Sequence, residues 1–275
     1  MKTIIDDCED YFGRPEISNS MMKVFREAGP WTYYHRYIAK TIEDPAPTDA
    51  LRLGTAFHNY MEWLGWGENS PSELCDYVIE LPGDVDGEPL NMRKKTHREL
   101  VEGIREDAGS IPCLTPDEMK HTIAMVQSVL SNNATGKYRF GSGFTCDCEA
   151  VGINKIEDME VKAKADILTN VGIIVDYKTT RHSTREAFAR DAIYKYKYHR
   201  QAAHYLDVFE AEKFVIIAVR NFEPYESLVY EVPSRLIDEG RETNHAVLRD
   251  IKYCFAMDQW HTPGWGGVTL LVEDE

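Results

Sequence analysis

The sequence lacks the features that would place this protein in a membrane or on a secretory route. Among its 275 residues, no apolar run approaches the length of about 20 residues that a membrane-spanning helix needs. The first residues, Met1–Asp7, turn acidic at once and do not contain the apolar core of a signal peptide. We therefore expect a cytoplasmic protein with no membrane association.

Cysteine is sparse, and its spacing excludes several kinds of structural site. The chain contains six cysteines, of which only Cys146 and Cys148 lie close together, and no CxxC motif or Cys/His cluster accompanies them. We therefore expect no disulfide scaffold, structural zinc or iron–sulfur cluster. Repeats, low-complexity segments and Gly/Ser linkers are also missing, which predicts one domain over residues 1–275, with a helical preface at 1–50 and the core at 51–275.

Positive charge is in deficit. The chain has 31 basic and 46 acidic residues, a net charge of −15, which argues against a protein that coats nucleic acid nonspecifically. A DNA enzyme whose positive charge is confined to a channel remains compatible with this total. Residues Arg185 to Arg200 include five basic and two acidic residues, so this segment has a positive net charge in an otherwise acidic chain.

Helical and strand-like patterns alternate along the chain, which predicts an α/β protein. An aromatic and basic segment, Trp31–Tyr37, is expected to pack on the core rather than stack on bases. The predicted helices are Met21–Ala28 (ended by Gly29-Pro30), Ala50–Trp66, Thr115–Ser131, Thr184–Glu212 and Pro233–Met257. The predicted strands are Tyr77–Leu81, Phe144–Ile153, Phe214–Val219, Leu228–Val232 and a central hairpin over Glu160–Thr180, with a loop at Asp44–Thr48.

The central hairpin carries the residues that indicate chemistry. Its turn is predicted at Asn170–Gly172, and period-two alternation places Lys162, Lys164 and Asp166 on one face of the first strand. In the second strand Asp176 and Lys178 are two residues apart and share a face. Buried carboxylates are avoided unless a cation or charged partner compensates them, so a metal site is the working hypothesis.

A hard divalent ion such as Mg²⁺ takes carboxylate and carbonyl oxygens, water and phosphate. We predict that Asp166, Asp176 and the carbonyl oxygen of Tyr177 bind this ion, because adjacent strands can bring the carboxylates together. Lys178 would lie beside it and orient or help deprotonate an attacking water. Glu149, from a neighbouring strand, and His58, from the second helix, are further candidates for ligands or their supporting groups.

Each of these residues also has a purely structural interpretation. Asp176 and Lys178 can form a buried salt bridge, and Asp166 can be a carboxylate near a turn. Gln201 and Tyr205, four residues apart on one helix, can form a polar seam. The basic residues can simply lie on solvated faces.

Four segments in fixed order resemble the RecE (exonuclease VIII) type nucleases of the PD-(D/E)xK superfamily. They are Leu53–His58, Ala165-Asp166, Ile174–Thr180 and Tyr198–Tyr205, and the resemblance extends from about Ile17 to Trp260–Trp265. It implies a central mixed β-sheet flanked by helices, with a helical N-terminal portion. The branch of the superfamily that holds iron–sulfur clusters has three cysteines near the C-terminus, whereas this chain has only Cys254 there.

The resemblance also implies roles for individual residues. His58, Asp166, Asp176 and Lys178 match the metal-dependent active site, and Glu149 matches the acidic residue on the preceding strand. The helix with Gln201 and Tyr205 would lie beside that site and contact the substrate strand. The residues expected at the DNA backbone are Lys162, Lys164, Thr179, Arg181, Lys195, Lys197 and Arg200.

The activity implied by the resemblance is that of a processive 5′→3′ exonuclease on linear double-stranded DNA. The enzyme would use Mg²⁺, with Mn²⁺ able to substitute, and would leave 3′ single strands for an annealing protein in phage-type recombination. Such a phage- or prophage-encoded protein would act in the bacterial cytoplasm as a ring-shaped homo-oligomer, a trimer or tetramer. The alternatives are a single-strand-specific or structure-specific nuclease of the same superfamily, and a DNA-binding scaffold without catalysis.

Overall fold

A mixed β-sheet between two groups of helices organises the chain. The computed structural model describes residues 3–5, 11–43, 48–65, 73–138 and 145–261. One of the six cysteines, Cys8, and the predicted features at 44–47, at Trp66, at Phe144 and beyond His261 lie outside these residues. No helix in the described ranges is long and apolar enough to cross a membrane.

The strands and helices have the following bounds. The strands are β1 (Thr3–Ile5), β2 (Ile79–Glu80), β3 (Asp84–Val85), β4 (Glu88–Pro89), β5 (Cys113–Leu114), β6 (Cys146–Ile156), β7 (Met159–Thr169), β8 (Ile173–Thr180), β9 (Lys213–Arg220) and β10 (Ser227–Glu231). The helices are α1 (Asn19–Tyr33), α2 (Asp49–Gly65), α3 (Lys95–Ala108), α4 (Pro116–Ser131), α5 (Arg185–Tyr194), α6 (Tyr198–Phe209) and α7 (Ser234–Met257).

The main sheet is mixed, as predicted. Its described strands follow the order β1–β6–β7–β8–β9–β10, and β8 pairs with β9 in parallel while the other neighbours are antiparallel. A parallel pair needs a crossover connection, which α5 and α6 supply here. The predicted hairpin is confirmed as β7 and β8, and Gly172 adopts a φ of +74° in its turn.

Helices cover both faces of the sheet. Helices α1, α6 and α7 pack on one face, where Ala163, Ala165 and Ile174 contribute to the core. Helices α2 and α4 pack on the other face, against Val175 and Tyr177. The central strands β8 and β9 are therefore apolar on both faces, which explains their nearly continuous apolar sequences.

The first helix begins two residues before the predicted Met21 and ends later than predicted. Ser18 caps its N-terminus by accepting a hydrogen bond from the amide of Met21. Gly29 breaks the helix with a φ of +89°, but the chain resumes a helical course at Pro30. Because of this continuation, Tyr33 is 1 % exposed and belongs to the core, whereas Trp31 remains 48 % exposed.

The long helix predicted over Thr184–Glu212 is wrong. Two helices, α5 and α6, replace it, and Lys197 between them has a left-handed backbone with a φ of +59°. A non-glycine residue rarely adopts this conformation, so nothing in the sequence marks the break. The consequence is a separate α6 whose buried face lies on β6 and β7.

Gly240 allows α7 to lie against the start of α6. A Cβ atom at this position would lie 2.5 Å from the main-chain oxygen of His199. We expect Gly240→Ala to lower the free energy of unfolding by about 1–3 kcal/mol, because a rigid backbone must move. Gly103→Ala is the matched control in α3, where a Cβ has no neighbour within 4 Å, and it should raise stability by about 0.5–1 kcal/mol. Urea unfolding measures the stability of both variants. Equal changes in the free energy of unfolding would contradict the close approach of Gly240 to His199.

His204 should make stability fall in mild acid. Burial lowers the pKa of His204 from 6.5 to about 4, and its Nε2 donates to the main-chain oxygen of Lys162 at 2.9 Å. Between these two pH values the unfolded chain binds a proton that the folded chain excludes. The free energy of unfolding should therefore drop as the pH falls from about 6.5 to about 4, by roughly 3 kcal/mol in total.

The test of this dependence is urea unfolding across the same pH range for wild type and for His204→Gln. Glutamine retains an amide donor but does not titrate, so the variant should lose less stability on acidification than wild type. His261→Gln, at an exposed position, serves as the control and should retain the wild-type dependence. Parallel curves for wild type and His204→Gln would show that another group controls the acid response.

Candidate active site

Strands β7 and β8 separate at the two acidic residues of the hairpin. Their pairing joins Ile167 with Val175 and Leu168 with Ile174, so Asp166 and Asp176 come next on the two strands. Instead of a ladder bond, the amide of Tyr177 donates to Asp166 Oδ2 at 2.6 Å. Farther along β7, the main chain of Ile17 takes the place of β8, bonding to Glu160 and Lys162. The site is built where the two strands diverge.

Glu149 lies beside Asp166 on the third strand of this region. The flanking pairs, Cys148 with Ile167 and Ala150 with Ala165, place Glu149 opposite Asp166. Glu149 has a φ of +51°, a left-handed backbone conformation that departs from regular strand geometry at this residue. Glu149, Asp166 and Asp176 therefore form one row across β6, β7 and β8.

Each carboxylate in this row has a positive partner. Glu149 forms an ion pair with Lys164, but burial, followed by repulsion from Asp166, raises the pKa of Glu149 to about 7. His58 Nδ1 lies 3.4 Å from Asp166 Oδ2. Although burial alone would lower the pKa of His58 and raise that of Asp166, their mutual attraction reverses both effects.

Asp176 is the most buried acid of the row, with 3 % of its surface exposed. Its Oδ2 lies 2.5 Å from Lys178 Nζ, and its Oδ1 accepts a hydrogen bond from Gln201 Nε2 at 2.7 Å. Burial raises the pKa of Asp176. Burial alone would lower the pKa of Lys178, but the attraction of Asp176 and Asp166 raises it. Strand β8 and helix α6 together hold this pair.

An open cleft of about 600 Å³ lies over the row of acids. Gln201 and Tyr205, one helical turn apart, form one wall, and His58 and Glu62 of α2 form another. The cleft is completed by Tyr11, Phe12, Ser18, Asn19, Ser20, Ala50, Leu51, Gly54, Thr55, Asn59, Glu149, Lys164, Asp166 and Thr179. Asp176 lies behind Gln201, which therefore connects the cleft with the buried Asp176–Lys178 pair.

The predicted metal ligands have suitable chemistry but do not converge on one point. No group of three or more His, Cys, Asp or Glu side chains in the described ranges is close enough to hold an ion. Asp166 instead accepts a hydrogen bond from the amide of Tyr177, and Asp176 pairs with Lys178. Asp176 Oδ2 is buried, and Lys178 Nζ lies 2.5 Å from it as its ion-pair partner. Oxygen donors of Asp166, Asp176 and Tyr177, with His58, suit a hard divalent cation.

Two predicted DNA contacts are buried, and the structure contradicts them. Lys162 is 2 % exposed, and its Nζ donates to the main-chain oxygens of Tyr11 and Arg14. Arg200 is 5 % exposed, and its Nε donates to Asn244 Oδ1 on α7. Neither side chain is accessible to a phosphate backbone.

The other predicted DNA contacts lie in three places. Lys164 and Thr179 line the cleft, although Lys164 is also paired with Glu149. Arg181 and Lys195 are exposed beyond the site. Lys197 is partly buried at the break between α5 and α6.

Three residues at the site escaped the sequence-based assignment. Glu62 lines the cleft and raises the pKa of Glu149, and its position four residues after His58 was a usable signal. The Tyr198 ring lies over Lys178 Nζ, 5.1 Å from the ring centroid. Phe12 is 91 % exposed at the cleft mouth, and no periodicity marks it.

A solved structure of low sequence identity has the same fold as this chain. A protein from Eubacterium rectale described as a putative exonuclease matches with a TM-score of 0.62 and 14 % identity, over 94 % of this chain and 89 % of that one. An alkaline exonuclease, LHK-Exo from Laribacter hongkongensis, matches with a TM-score of 0.35 and 12 % identity, over 61 % and 86 % of the two chains. No curated protein matches the sequence.

A family model provides the assignment that these distant structures do not. The model describes a PDDEXK-like domain of unknown function, DUF3799, and it matches residues 18–265. The match includes the row of acids, Lys178 and the helix that carries Gln201. This protein belongs to the DUF3799 family of PDDEXK-like domains.

Proposed function

We propose that this protein is a metal-dependent nuclease that hydrolyses phosphodiester bonds of DNA. The observation that carries the proposal is the arrangement of Asp176, Lys178 and Gln201 next to Asp166, at the point where β7 and β8 diverge. A structural salt bridge alone would not require an adjacent open cleft lined by two further acids, Glu149 and Glu62.

Asp166, Asp176, the carbonyl oxygen of Tyr177 and His58 would hold the divalent ion, Mg²⁺ with Mn²⁺ able to substitute. When bound, such an ion polarises the scissile phosphate and lowers the pKa of the attacking water. Lys178 brings an ammonium group to the same place, where it orients the nucleophile and offsets negative charge that develops on the phosphate oxygens. The protein thus supplies positive charge in a confined polar site.

Gln201 and Tyr205 supply the contact between this machinery and the substrate strand. Gln201 fixes Asp176 through its Nε2 and also faces the cleft. Burial holds the pKa of Tyr205 well above its ordinary value, so its phenol remains protonated and can donate to a phosphate or sugar oxygen. Lys164 and Thr179 on the cleft wall are the nearest candidates for further backbone contacts.

The finer parts of the proposal rest on the resemblance to RecE-type nucleases. They are a preference for ends of linear duplex DNA, 5′→3′ polarity, and 3′ single strands passed to an annealing protein in phage-type recombination. A ring of three or four subunits would suit a net charge of −15, because acidic residues could face outward and basic residues the bore. We propose residues 1–275 as one catalytic domain, acting in the cytoplasm of a bacterial host.

The cleavage experiment uses linear duplex DNA labelled separately at each 5′ end, with Mg²⁺. A closed circular duplex, a single strand and an EDTA reaction are run beside it. We expect early release of the 5′ label as mononucleotides, an intact circle and no reaction in EDTA. Nicking of the circle would identify an endonuclease, and preferential digestion of the single strand would identify a single-strand nuclease. Folded protein without cleavage in Mg²⁺ or Mn²⁺ would contradict the enzymatic proposal.

Asp176→Asn tests the central carboxylate. We expect cleavage to fall by at least about 100-fold, because both the charge that holds the ion and the partner of Lys178 are lost. DNA binding, measured in EDTA, should change little. Asp250→Asn, the same chemical change on the exposed surface of α7, should retain activity.

Thermal unfolding shows whether Asp176→Asn is folded, since the substitution disturbs a buried ion pair. Gln201→Ala provides a second test of the same site with less disturbance of charge, and it should reduce cleavage by about tenfold or more. Loss of DNA binding by a folded Asp176→Asn protein would instead assign Asp176 to a binding surface.

A further inference from the structure

A stack of side chains leads from the candidate active site towards the protein surface. Lys178 Nζ lies 5.1 Å from the centroid of the Tyr198 ring. Tyr198 stacks on Tyr196, with centroids 5.4 Å apart and ring planes inclined by 22°. On Tyr196, Lys195 Nζ lies 5.2 Å from the centroid. The lysine of the site is therefore connected by two stacked rings to an exposed lysine.

This stack belongs to a short segment in which aromatic and basic residues alternate. The segment Tyr194–Tyr198 reads Tyr-Lys-Tyr-Lys-Tyr and spans the break between α5 and α6. Tyr194, at the end of α5, is 75 % exposed. Lys197 has a left-handed backbone at this break. The tyrosine rings of the segment are therefore carried by a turn rather than by one continuous helix.

Packing of the core does not account for these exposed rings. Tyr198 is partly buried and contacts Phe188, whereas Tyr194 lies in solvent and Tyr196 is only partly covered. An exposed tyrosine presents a large apolar face to water, and such a face next to a functional site is typical of a binding surface. The accompanying lysines indicate a ligand that combines flat apolar groups with negative charge.

We propose that Tyr194–Tyr198 is a binding platform for single-stranded DNA, on which unpaired bases stack and whose lysines contact phosphates. The proposal rests on the proposed function, because it takes DNA as the substrate. Unpaired bases expose the faces that a tyrosine can contact, whereas in a duplex these faces are covered by neighbouring base pairs. The platform would hold the strand next to Lys178.

Charge supports this choice of ligand over an apolar or cationic one. The chain carries a net charge of −15, yet Arg185–Arg200 has five basic and two acidic residues. Arg200 is buried, Arg190 forms an ion pair with Asp191 and Lys197 is partly buried, so the exposed positive charge offered to a ligand comes mainly from Arg185 and Lys195. Lys195 covers one face of Tyr196, and its exposed flexible side chain can move to a phosphate and leave the ring free for a base.

Tyr196→Leu tests the stacking, because leucine retains apolar bulk and removes the ring. Binding of a short fluorescein-labelled oligothymidylate is measured by fluorescence anisotropy in EDTA at fixed ionic strength. We expect affinity to fall by about 5- to 150-fold, the equivalent of one stacked base. Tyr196→Phe keeps the ring and should stay within about twofold of wild type. Tyr253→Leu replaces another exposed tyrosine, on α7, and should bind as wild type does.

A second ligand separates stacking from phosphate contact. An oligomer of the same length with abasic sites keeps the phosphates, so wild type and Tyr196→Leu should bind it equally weakly. Tyr194→Leu provides an independent variant at a position too exposed to affect folding, and it should also weaken binding to the oligothymidylate. Wild-type affinity in both leucine variants would overturn the platform, as would equal losses in Tyr196→Phe and Tyr196→Leu.

The binding measurements test the platform separately from the cleavage experiment, which tests the nuclease. Binding in EDTA needs no catalysis, so ring-dependent binding by a protein that does not cleave DNA would support the platform and contradict the nuclease. Cleavage by wild type together with unchanged binding in the leucine variants would support the nuclease and contradict the platform.

Discussion

The hydrogen bond from the amide of Tyr177 to the carboxylate of Asp166 links β7 and β8 at the point where their main-chain pairing ends. A buried amide must have an acceptor, and at this position the β-ladder between β7 and β8 has already ended. The Asp166 side chain supplies the acceptor that the main chain of β7 no longer offers. One carboxylate therefore closes the sheet and faces the cleft, so the geometry of the fold and that of the site depend on the same atom.

Charge balance sets the second constraint on this region. Three acids in one row across neighbouring strands would repel one another, and uncompensated burial would be strongly unfavourable. The chain compensates each acid separately, with Lys164 at Glu149, His58 at Asp166 and Lys178 at Asp176. Lys164 comes from β7, which neighbours the strand of Glu149, and His58 comes from helix α2. Lys178 comes from β8, the strand that also carries Asp176. Ligand binding at the site must therefore rearrange ion pairs as well as fill space.

Local patterns were sufficient for much of the architecture. The hairpin follows from alternation and a turn-forming Asn170–Gly172, and the shared face of Asp176 and Lys178 follows from their spacing. The break between α5 and α6 could not be predicted, because Lys197 adopts a conformation that its residue type disfavours. The burial of Lys162 and Arg200 also depends on distant partners, the carbonyls of Tyr11 and Arg14 and the side chain of Asn244. From residue type alone, charged side chains such as these are predicted to be exposed to solvent.

The anchoring of the segment before α1 has a consequence for how this domain is delimited. The family match begins at residue 18, yet Tyr11 and Phe12 line the cleft, and Lys162 holds the main chain at Tyr11 and Arg14 from inside the protein. A fragment cut at the family boundary would retain every acid of the row and lose Tyr11 and Phe12 from the lining of the cleft. It would also leave a buried ammonium without two of its acceptors. The folded unit that builds this cleft is thus longer than the segment by which the family is recognised.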